Sequence, residues 1–215
     1  MIGDTVVVFA GGDPPGPAAV AGLVATDVLV VAADSGADHA LHLGWPVHVL
    51  VGDLDSVSSK SLRELERRGA EIFRHPVDKD QTDLALALDV AQIRVPRCRL
   101  VVIGGGGGRL DHLIANQLLL ASEDYASCQV EARMGTARVT VIRGRRQLHG
   151  KPNDLISLLA VAGTARGVST DGLQFPLIDA DLAVSSSLGV SNRFLGSDAA
   201  VTVGAGVVLA VQPGQ

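Results

Sequence analysis

The stretch VLVVAADSGADHALHLGWPVHVLVGDLDS, residues 28–56, decides the fold class of this chain. It contains two apolar runs, Val28–Ala33 and Val47–Val51, each followed closely by aspartate, with a short helical segment, Ala37–Leu43, between them. Strands that are apolar throughout are buried on both faces, and strands that alternate with helices pair in parallel. The stretch therefore predicts a β-α-β unit of a parallel sheet covered by helices.

The same alternation continues on both sides of this stretch. Further strands are predicted at Val6–Ala10, Glu71–Arg74, Leu100–Ile103 and Gln129–Arg133, and further helices at Pro17–Ala25, Ser58–Arg68, Thr82–Ile93 and Leu110–Ser122. We predict an α/β N-terminal domain with a parallel sheet over residues 1–133.

After Met134 the helical pattern ends and short β-branched runs follow, separated by Gly, Ser, Asp and Pro. These runs are Val139–Ile142, Leu155–Val161, Ala183–Ser187, Val201–Val203 and Val207–Val211. Such spacing is typical of antiparallel sheets, so residues 134–215 are predicted to form an all-β sandwich as a C-terminal domain.

Composition excludes several classes of protein. Of the 215 residues, 47% are hydrophobic and 19% charged, which excludes a disordered chain, and the net charge of -5 argues against a broad basic surface for nucleic acid. Cys98 and Cys128 are too few for a disulfide scaffold and fit a reducing cytosol. No apolar run approaches the roughly 18 residues of a membrane span, and Met1–Asp4 lacks the basic region of a signal peptide. We therefore expect a cytoplasmic protein without membrane or nucleic-acid partners.

Aspartates gather where the predicted parallel strands end. Seven of the 18 aspartates follow such strands: Asp34, Asp53, Asp55, Asp78, Asp80, Asp83 and Asp111. The carboxyl ends of parallel strands share one edge, where ligands bind, and clustered carboxylates favour a cation among them. Oxygen ligands without His or Cys suit Mg²⁺, which usually also holds substrate phosphates. The alternative is helix capping, by Asp80 or Asp83 for the helix from Thr82 and by Asp34 for the helix that follows it, Ala37–Leu43.

Five glycines, Gly104–Gly108, separate a predicted strand from a predicted helix. Backbone N–H groups of such a loop can approach a phosphate, although the run fits neither a Walker A loop nor the Gly-X-Gly-X-X-Gly pattern. A flexible turn is the alternative interpretation. Arg109 can clamp a phosphate as a fork, and Asp111 can complete a metal shell. Lys79 is either an ion-pair partner for the neighbouring acids or a phosphate contact.

Four acidic motifs occur in order, Ala33–Ala37, Gly52–Ser56, Asp78–Asp83 and Gly107–His112, and with them the chain resembles the thiamine pyrophosphokinase (thiamine diphosphokinase) family. Gly172–Leu177 and Gly189–Asn192 are similar to the thiamine-contacting segments of that family. The resemblance implies an α/β domain followed by a β-sandwich, and a homodimer whose active site lies between subunits. It also implies transfer of the β,γ-pyrophosphoryl group of ATP to the thiamine hydroxyl, with release of AMP.

The resemblance also implies residue roles. Mg²⁺ and the ATP phosphates would be held by Asp53, Asp55, Asp83 and Asp111, with Asp34 beside them and one of these carboxylates taking the hydroxyl proton. ATP would further contact Lys79, Asp80, Thr82, Gly107, Gly108 and Arg109, and thiamine would contact Phe175, Ser191 and Asn192 of the partner subunit.

Two positions depart from the family pattern. Arg193 follows the Ser-Asn pair where relatives often carry an acid, and Phe175 stands where relatives have Trp or Tyr. Phe175 is either an aromatic platform for the cationic vitamin or part of the sandwich core. Two other functions are kept as alternatives, a related pyrophosphokinase for a hydroxymethylpterin and a non-catalytic sensor of nucleotide or thiamine phosphate.

Overall fold

A computed structural model describes residues 3–214 of the chain as two compact units. The first comprises the chain up to Leu119 together with residues 127–135, and the second comprises 120–126 and 136–215. None of the helices between residues 3 and 214 is long and apolar enough to cross a membrane.

The first unit contains six strands that pair in parallel in the order β6-β5-β1-β2-β3-β4. Its strands are β1 Thr5–Phe9, β2 Leu29–Ala33, β3 Val49–Gly52, β4 Glu71–Arg74, β5 Arg99–Ile103 and β6 Gln129–Met134. The six strands predicted in this part of the sequence are confirmed, with ends shifted by one or two residues.

Four helices connect these strands, α1 Gly36–His42, α2 Ser59–Arg68, α3 Asp83–Arg94 and α4 Leu110–Leu120. The prediction of a longer helix at Pro17–Ala25 is wrong, because only a 3₁₀ helix, Pro17–Val20, forms there. The backbone leaves the helical region at Ala21, and Gly22 has a φ of 73°. The helix predicted to reach Ser122 ends at Leu120.

Helices cover both faces of the parallel sheet. Val7 and Phe9 of β1, Val30 and Ala32 of β2, and Leu65 of α2 share one buried core, so alternate strand residues face this side. Helix α3 packs against β1, β2 and β3 with buried residues that lie outside this core. The apolar strands are therefore buried on both sides, as their composition predicts.

The second unit is a sandwich of two antiparallel sheets, ordered β12-β9-β14-β7 and β11-β10-β13-β8. Its strands are β7 Ala137–Ile142, β8 Arg145–His149, β9 Leu155–Ala160, β10 Ala165–Asp171, β11 Ala180–Leu182, β12 Asn192–Arg193, β13 Asp198–Thr202 and β14 Val208–Gln212. Ile156 and Leu158 of one sheet share a core with Val168 and Val201 of the other. The predicted α/β part followed by a β-sandwich is confirmed.

One predicted strand of the sandwich is wrong. Residues 183–187 form turns, in which the Ser186 N–H donates to the Ala183 carbonyl at 3.0 Å, and the neighbouring strand β11 ends at Leu182.

Candidate active site

Three carboxylates meet at the carboxyl edge of the parallel sheet. Asp34 follows β2, Asp53 follows β3, and Asp83 opens α3 after β4. One oxygen atom of each lies within 4.8 Å of the others. The structure thus brings together residues from three separate loops, which is the arrangement that the strand-end aspartates predict.

Asp34 is the most enclosed member of this cluster. Its backbone adopts a φ of 46°, and its N–H donates to the Val51 carbonyl at 2.9 Å. The side chain is 8% exposed, and within residues 3–214 no hydrogen-bond partner reaches Oδ1. Burial raises the pKa of Asp34, and the nearby carboxylates of Asp53 and Asp83 act in the same direction. The capping interpretation of Asp34 is wrong, because Ser35 occupies the N-cap position of α1.

Gly52, the last residue of β3, allows the carboxylates to approach one another. A Cβ atom at this position would lie 3.0 Å from Asp83 Oδ1 and 3.2 Å from Asp34 Cβ. The φ of Gly52 is 146°, which side-chain-bearing residues rarely adopt. The cluster therefore depends on glycine at this position, which the sequence analysis did not single out.

Lys79 lies among the acids. Its Nζ is 3.0 Å from Asp53 Oδ2 and 3.1 Å from Asp83 Oδ1, with the side chain largely buried. Burial opposes the charge of Lys79, but its interactions with Asp53 and Asp83 outweigh it and raise the lysine pKa. The hydrogen bond from Lys79 lowers the pKa of Asp53. The ion-pair interpretation of Lys79 is thus confirmed.

Thr82 is the N-cap of α3, since its Oγ1 accepts a hydrogen bond from the Ala85 N–H at 3.2 Å. The interpretation of Asp80 or Asp83 as the cap is therefore wrong. Asp83 is instead directed to the carboxylate cluster, whereas Asp80 is exposed to solvent.

Two glycine-containing loops form the floor beside the acids. The Gly105 N–H donates to the Gly11 carbonyl at 2.7 Å, and the Asp13 N–H donates to the Gly106 carbonyl at 2.9 Å. Buried Asn116 of α4 donates from Nδ2 to the Gly105 carbonyl at 2.8 Å. The Gly104–Gly108 run is therefore an anchored loop rather than a flexible turn. Sequence reasoning did not single out the first loop, although Asp13 directly follows Gly11-Gly12 at the end of β1.

Arg109 and Asp111 pair with each other at the rim. Arg109 Nη2 lies 2.5 Å from Asp111 Oδ2, and Asp111 is 64% exposed. The hydrogen bond from Arg109 lowers the pKa of Asp111 to about 2. Asp111 is thus apart from the three-carboxylate cluster, while Asp55 lines the pocket and accepts a hydrogen bond from Ser56 Oγ at 2.7 Å.

A cavity of about 480 Å³ lies over the floor and the acidic edge. Its lining includes the predicted residues Asp34, Asp55, Lys79, Thr82, Asp83, Gly107, Gly108 and Arg109. Residues not singled out as ligand contacts also line it: Gly11, Gly12, Asp13, Ser35, Ser56, Gln81, His112 and Asn116. An acidic wall next to a glycine floor suits a nucleotide phosphate chain that carries a divalent cation.

The donors present fit Mg²⁺. The cluster offers carboxylate oxygens, and Asp34 Oδ1 is buried without a hydrogen-bond partner in the described part of the chain, whereas Asp83 Oδ1 is paired with Lys79. Buried polar atoms are normally satisfied, so such an oxygen indicates a ligand, and hard oxygen donors are the preference of Mg²⁺.

The candidate vitamin-binding residues lie in the second unit. Phe175 is 59% exposed, so its interpretation as sandwich core is wrong. Ser191 is exposed and has a φ of 60°, and its N–H donates to Ser157 Oγ at 3.1 Å. Asn192 is 2% exposed and bonds the backbone of Phe175.

The fold and site define a class: proteins in which an α/β domain with a carboxylate cluster over a glycine floor is joined in one chain to a β-sandwich. The sequence model of the thiamin pyrophosphokinase catalytic domain matches residues 20–132, and that of the thiamin pyrophosphokinase vitamin B1 binding domain matches residues 141–208. The chain belongs to the thiamin pyrophosphokinase family, whose members are transferases.

Individual relatives share this similarity over almost their whole length. A thiamine pyrophosphokinase of Bacillus subtilis is 24% identical over 210 residues, covering 97% of this chain and 98% of that protein. The crystal structure of thiamine pyrophosphokinase from Bacillus subtilis has a TM-score of 0.85 at 22% identity, covering 98% of this chain and 99% of that one. Thiamin pyrophosphokinase from Candida albicans has a TM-score of 0.80 at 16% identity, covering 98% and 89%. These structures share the fold of the chain.

Proposed function

We propose that this protein transfers the pyrophosphoryl group of ATP to the hydroxyl of thiamine, giving thiamine diphosphate and AMP. The observation that carries the proposal is the cluster of Asp34, Asp53 and Asp83 beside a glycine-floored cavity, in a chain of this family. The match to a vitamin B1 binding domain favours thiamine over a pterin alcohol. The acid set favours an enzyme over a sensor, since a sensor has no need of so many carboxylates suited to a metal ion.

The carboxylates would hold Mg²⁺. The centre of the proposed metal site is formed by the carboxylates of Asp34, Asp53 and Asp83. Further oxygens would come from Asp55 in the pocket wall and from Asp111 at the rim. When bound, the cation neutralises charge on the transferred phosphates.

The remaining pocket residues position the reactants. The backbone N–H groups of Gly107 and Gly108 face the phosphate chain, and the exposed guanidinium of Arg109 clamps it. Lys79 contributes a positive charge from within the acidic wall. One carboxylate of this set would accept the proton of the attacking hydroxyl. Pyrophosphoryl transfer needs this positioning and charge stabilisation rather than covalent catalysis.

We further propose a homodimer in which residues of one subunit's sandwich face the acidic pocket of its partner. Large apolar side chains of the second unit, Phe175, Ile178 and Leu195, are exposed, which is typical of a surface that binds another molecule. We take residues 1–133 as the catalytic domain, residues 134–215 as the vitamin-binding domain, and the cytoplasm as the location, in keeping with two free cysteines.

The reaction is tested by incubating the protein with ATP, Mg²⁺ and thiamine and identifying the products by mass spectrometry. We expect thiamine diphosphate and AMP. Thiamine monophosphate with ADP would overturn the transfer mode, and product formed only from a hydroxymethylpterin would overturn the acceptor. Asp55→Ala is expected to abolish turnover without unfolding the chain, whereas Asp181→Ala, an exposed acid on β11, is expected to leave turnover unchanged.

The shared site is tested by complementation. Asp55→Ala and Phe175→Ala homodimers are each expected to be impaired at low thiamine concentration. When the two are mixed and allowed to exchange subunits, heterodimers carry one intact site, and about a quarter of wild-type activity is expected to return. No recovery after exchange that is confirmed by mass spectrometry would place both residues in the same subunit's site.

A further inference from the structure

The side chain of Asn192 forms three hydrogen bonds to backbone atoms. Its Oδ1 accepts hydrogen bonds from the Phe175 N–H at 3.0 Å and the Arg193 N–H at 2.8 Å. Its Nδ2 donates to the Phe175 carbonyl at 2.7 Å. Both acceptor sites of the amide oxygen are thus occupied, and the residue is only 2% exposed. A ligand outside the protein therefore finds no accessible polar atom on Asn192.

The two hydrogen bonds between the Asn192 side chain and the Phe175 backbone extend a short backbone pairing between residues 173–174 and residues 193–194. The Gln174 N–H donates to the Arg193 carbonyl at 2.9 Å, and Leu173 forms a bridge with Phe194. Asn192 itself is fixed in β12, where it lies opposite Ile156 of β9. Beyond Gln174 the backbone–backbone pairing gives way to the Asn192 side chain, which binds the backbone of Phe175 instead.

Phe175 combines a fixed backbone with a free ring. Its N–H and carbonyl are both held by Asn192, while the residue is 59% exposed. An aromatic face attracts a cation, and thiamine carries a positive thiazolium ring. Fixing the backbone in advance lowers the ordering cost that binding to a mobile loop would incur.

We propose that Asn192 is a positioning residue, which fixes the backbone of Phe175 so that the ring of Phe175 contacts the thiamine cation. This inference rests on the proposed function and revises the direct contact that the family resemblance implies for Asn192. Direct contact predicts that Asn192 and Phe175 contribute independently to thiamine binding. Positioning predicts that the effect of Asn192 passes through Phe175.

A double-mutant cycle separates these two roles. Asn192→Ala and Phe175→Ala are each expected to raise the KM and the Kd for thiamine about tenfold, the upper range of a cation–π contact. The double variant is expected to match Phe175→Ala alone, with kcat and the KM for ATP within about twofold of wild type. Gln147→Ala is the control, because Gln147 is an exposed residue of β8, outside both thiamine-contacting segments, and it is expected to behave as wild type.

Additive losses, about 100-fold in the double variant, would overturn the inference, as would an Asn192→Ala variant with unchanged thiamine affinity. Equal losses for thiamine and ATP would also overturn it, because they indicate general damage. Should Asn192→Ala not fold, Asn192→Asp replaces it in the cycle, since it keeps the acceptor and sets an oxygen against the Phe175 carbonyl.

Hydrogen exchange at Phe175 supplies a readout that needs no substrate. Faster exchange of the Phe175 amide is expected in Asn192→Ala but not in Gln147→Ala, and unchanged exchange in Asn192→Ala would overturn the inference. A wild-type protein that neither binds nor converts thiamine would instead refute the proposed function, and with it the thiamine contact assigned to Phe175.

Discussion

Replacing Gly52 with alanine tests whether the close approach of β3 to Asp34 and Asp83 holds the carboxylate cluster together. The added Cβ would lie 3.0 Å from Asp83 Oδ1 and 3.2 Å from Asp34 Cβ, both tighter than nearly all such contacts. The neighbouring side chains would have to move by a few tenths of an ångström. The φ of 146° adds backbone strain of about 1–3 kcal/mol.

These effects lead to separate expectations for stability and for catalysis. Strain of this size lowers the Tm of a chain of this length by about 2–12 °C. Displaced carboxylates reduce kcat/KM for ATP roughly 10- to 100-fold, since small misplacements of catalytic geometry are costly. The apparent affinity for Mg²⁺ is expected to fall together with kcat/KM.

Gly44→Ala provides the control. Gly44 has a φ of 72°, and no atom of the described chain lies within 4 Å of its Cβ position. The substitution strains the backbone without touching the site, so it is expected to lower the Tm while kcat/KM stays within about twofold. Thermal unfolding, steady-state kinetics and Mg²⁺ titration would be measured for both variants. A Gly52→Ala protein with the kinetics of Gly44→Ala would refute the reasoning.

Three further predictions concern separate parts of the molecule. Arg109→Ala is expected to raise the pKa of Asp111 from about 2 toward 3.8, because the carboxylate loses its hydrogen-bond donor; an unchanged NMR titration would contradict this. In the wild-type protein, the exposed Arg109–Asp111 pair adds a small amount to the free energy of unfolding. This contribution is fully present above pH 3.8 and is lost as the pH falls through about 2, where Asp111 becomes protonated. Cys98 and Cys128 are buried, and burial raises the pKa of Cys98 to about 12, so a thiol reagent at pH 8 is expected to modify neither until urea unfolds the chain. Leu65→Ala is expected to lower the free energy of unfolding in urea by about 2–5 kcal/mol with kcat unchanged, because fully buried Leu65 lies outside the cavity; a parallel fall in kcat would contradict this.

The parallel sheet was predictable because its central strands, β1, β2, β3 and β5, are apolar on both faces. β2 has every residue buried, and such runs are visible in the sequence without any knowledge of the partners. The strand order was not predictable, since the pairing of β1 with both β2 and β5 depends on contacts far apart in the chain.

The sandwich was predicted less completely because its strands depart from simple apolar runs. Strand β8 is arginine-rich and mostly exposed, and β10 contains Gly167 at a φ of 63° with a shift of register. Both were missed, as was the two-residue strand β12. Residues 183–187 begin with two apolar residues, as is typical of a strand, but they form turns instead. The Ser186 N–H donates to the Ala183 carbonyl, and Ser186 Oγ accepts a hydrogen bond from the Leu188 N–H.

The acidic edge was predictable because strand ends converge in any parallel sheet. Which of the strand-end aspartates come within 4.8 Å of one another was not predictable. That choice depends on the glycine at position 52, on Lys79 between two carboxylates, and on Thr82 capping α3 in place of Asp83. The role of Asn192 was likewise hidden, because a sequence motif does not tell whether an amide points to a ligand or to the backbone.

The pairing of Thr5 in β1 with Arg99 in β5 bears on how the chain folds during translation. A ribosome adds about 5–20 residues per second, so the aspartates of the acidic edge emerge a few seconds before Gly104–Gly108. Until then, one edge of the apolar strand β1 has no partner, and such an edge is a template for aggregation. The arrival of β5 closes that edge and joins the two glycine loops of the floor in the same event. The nascent chain thus completes the glycine floor of its cavity and pairs the exposed edge of β1 in one event.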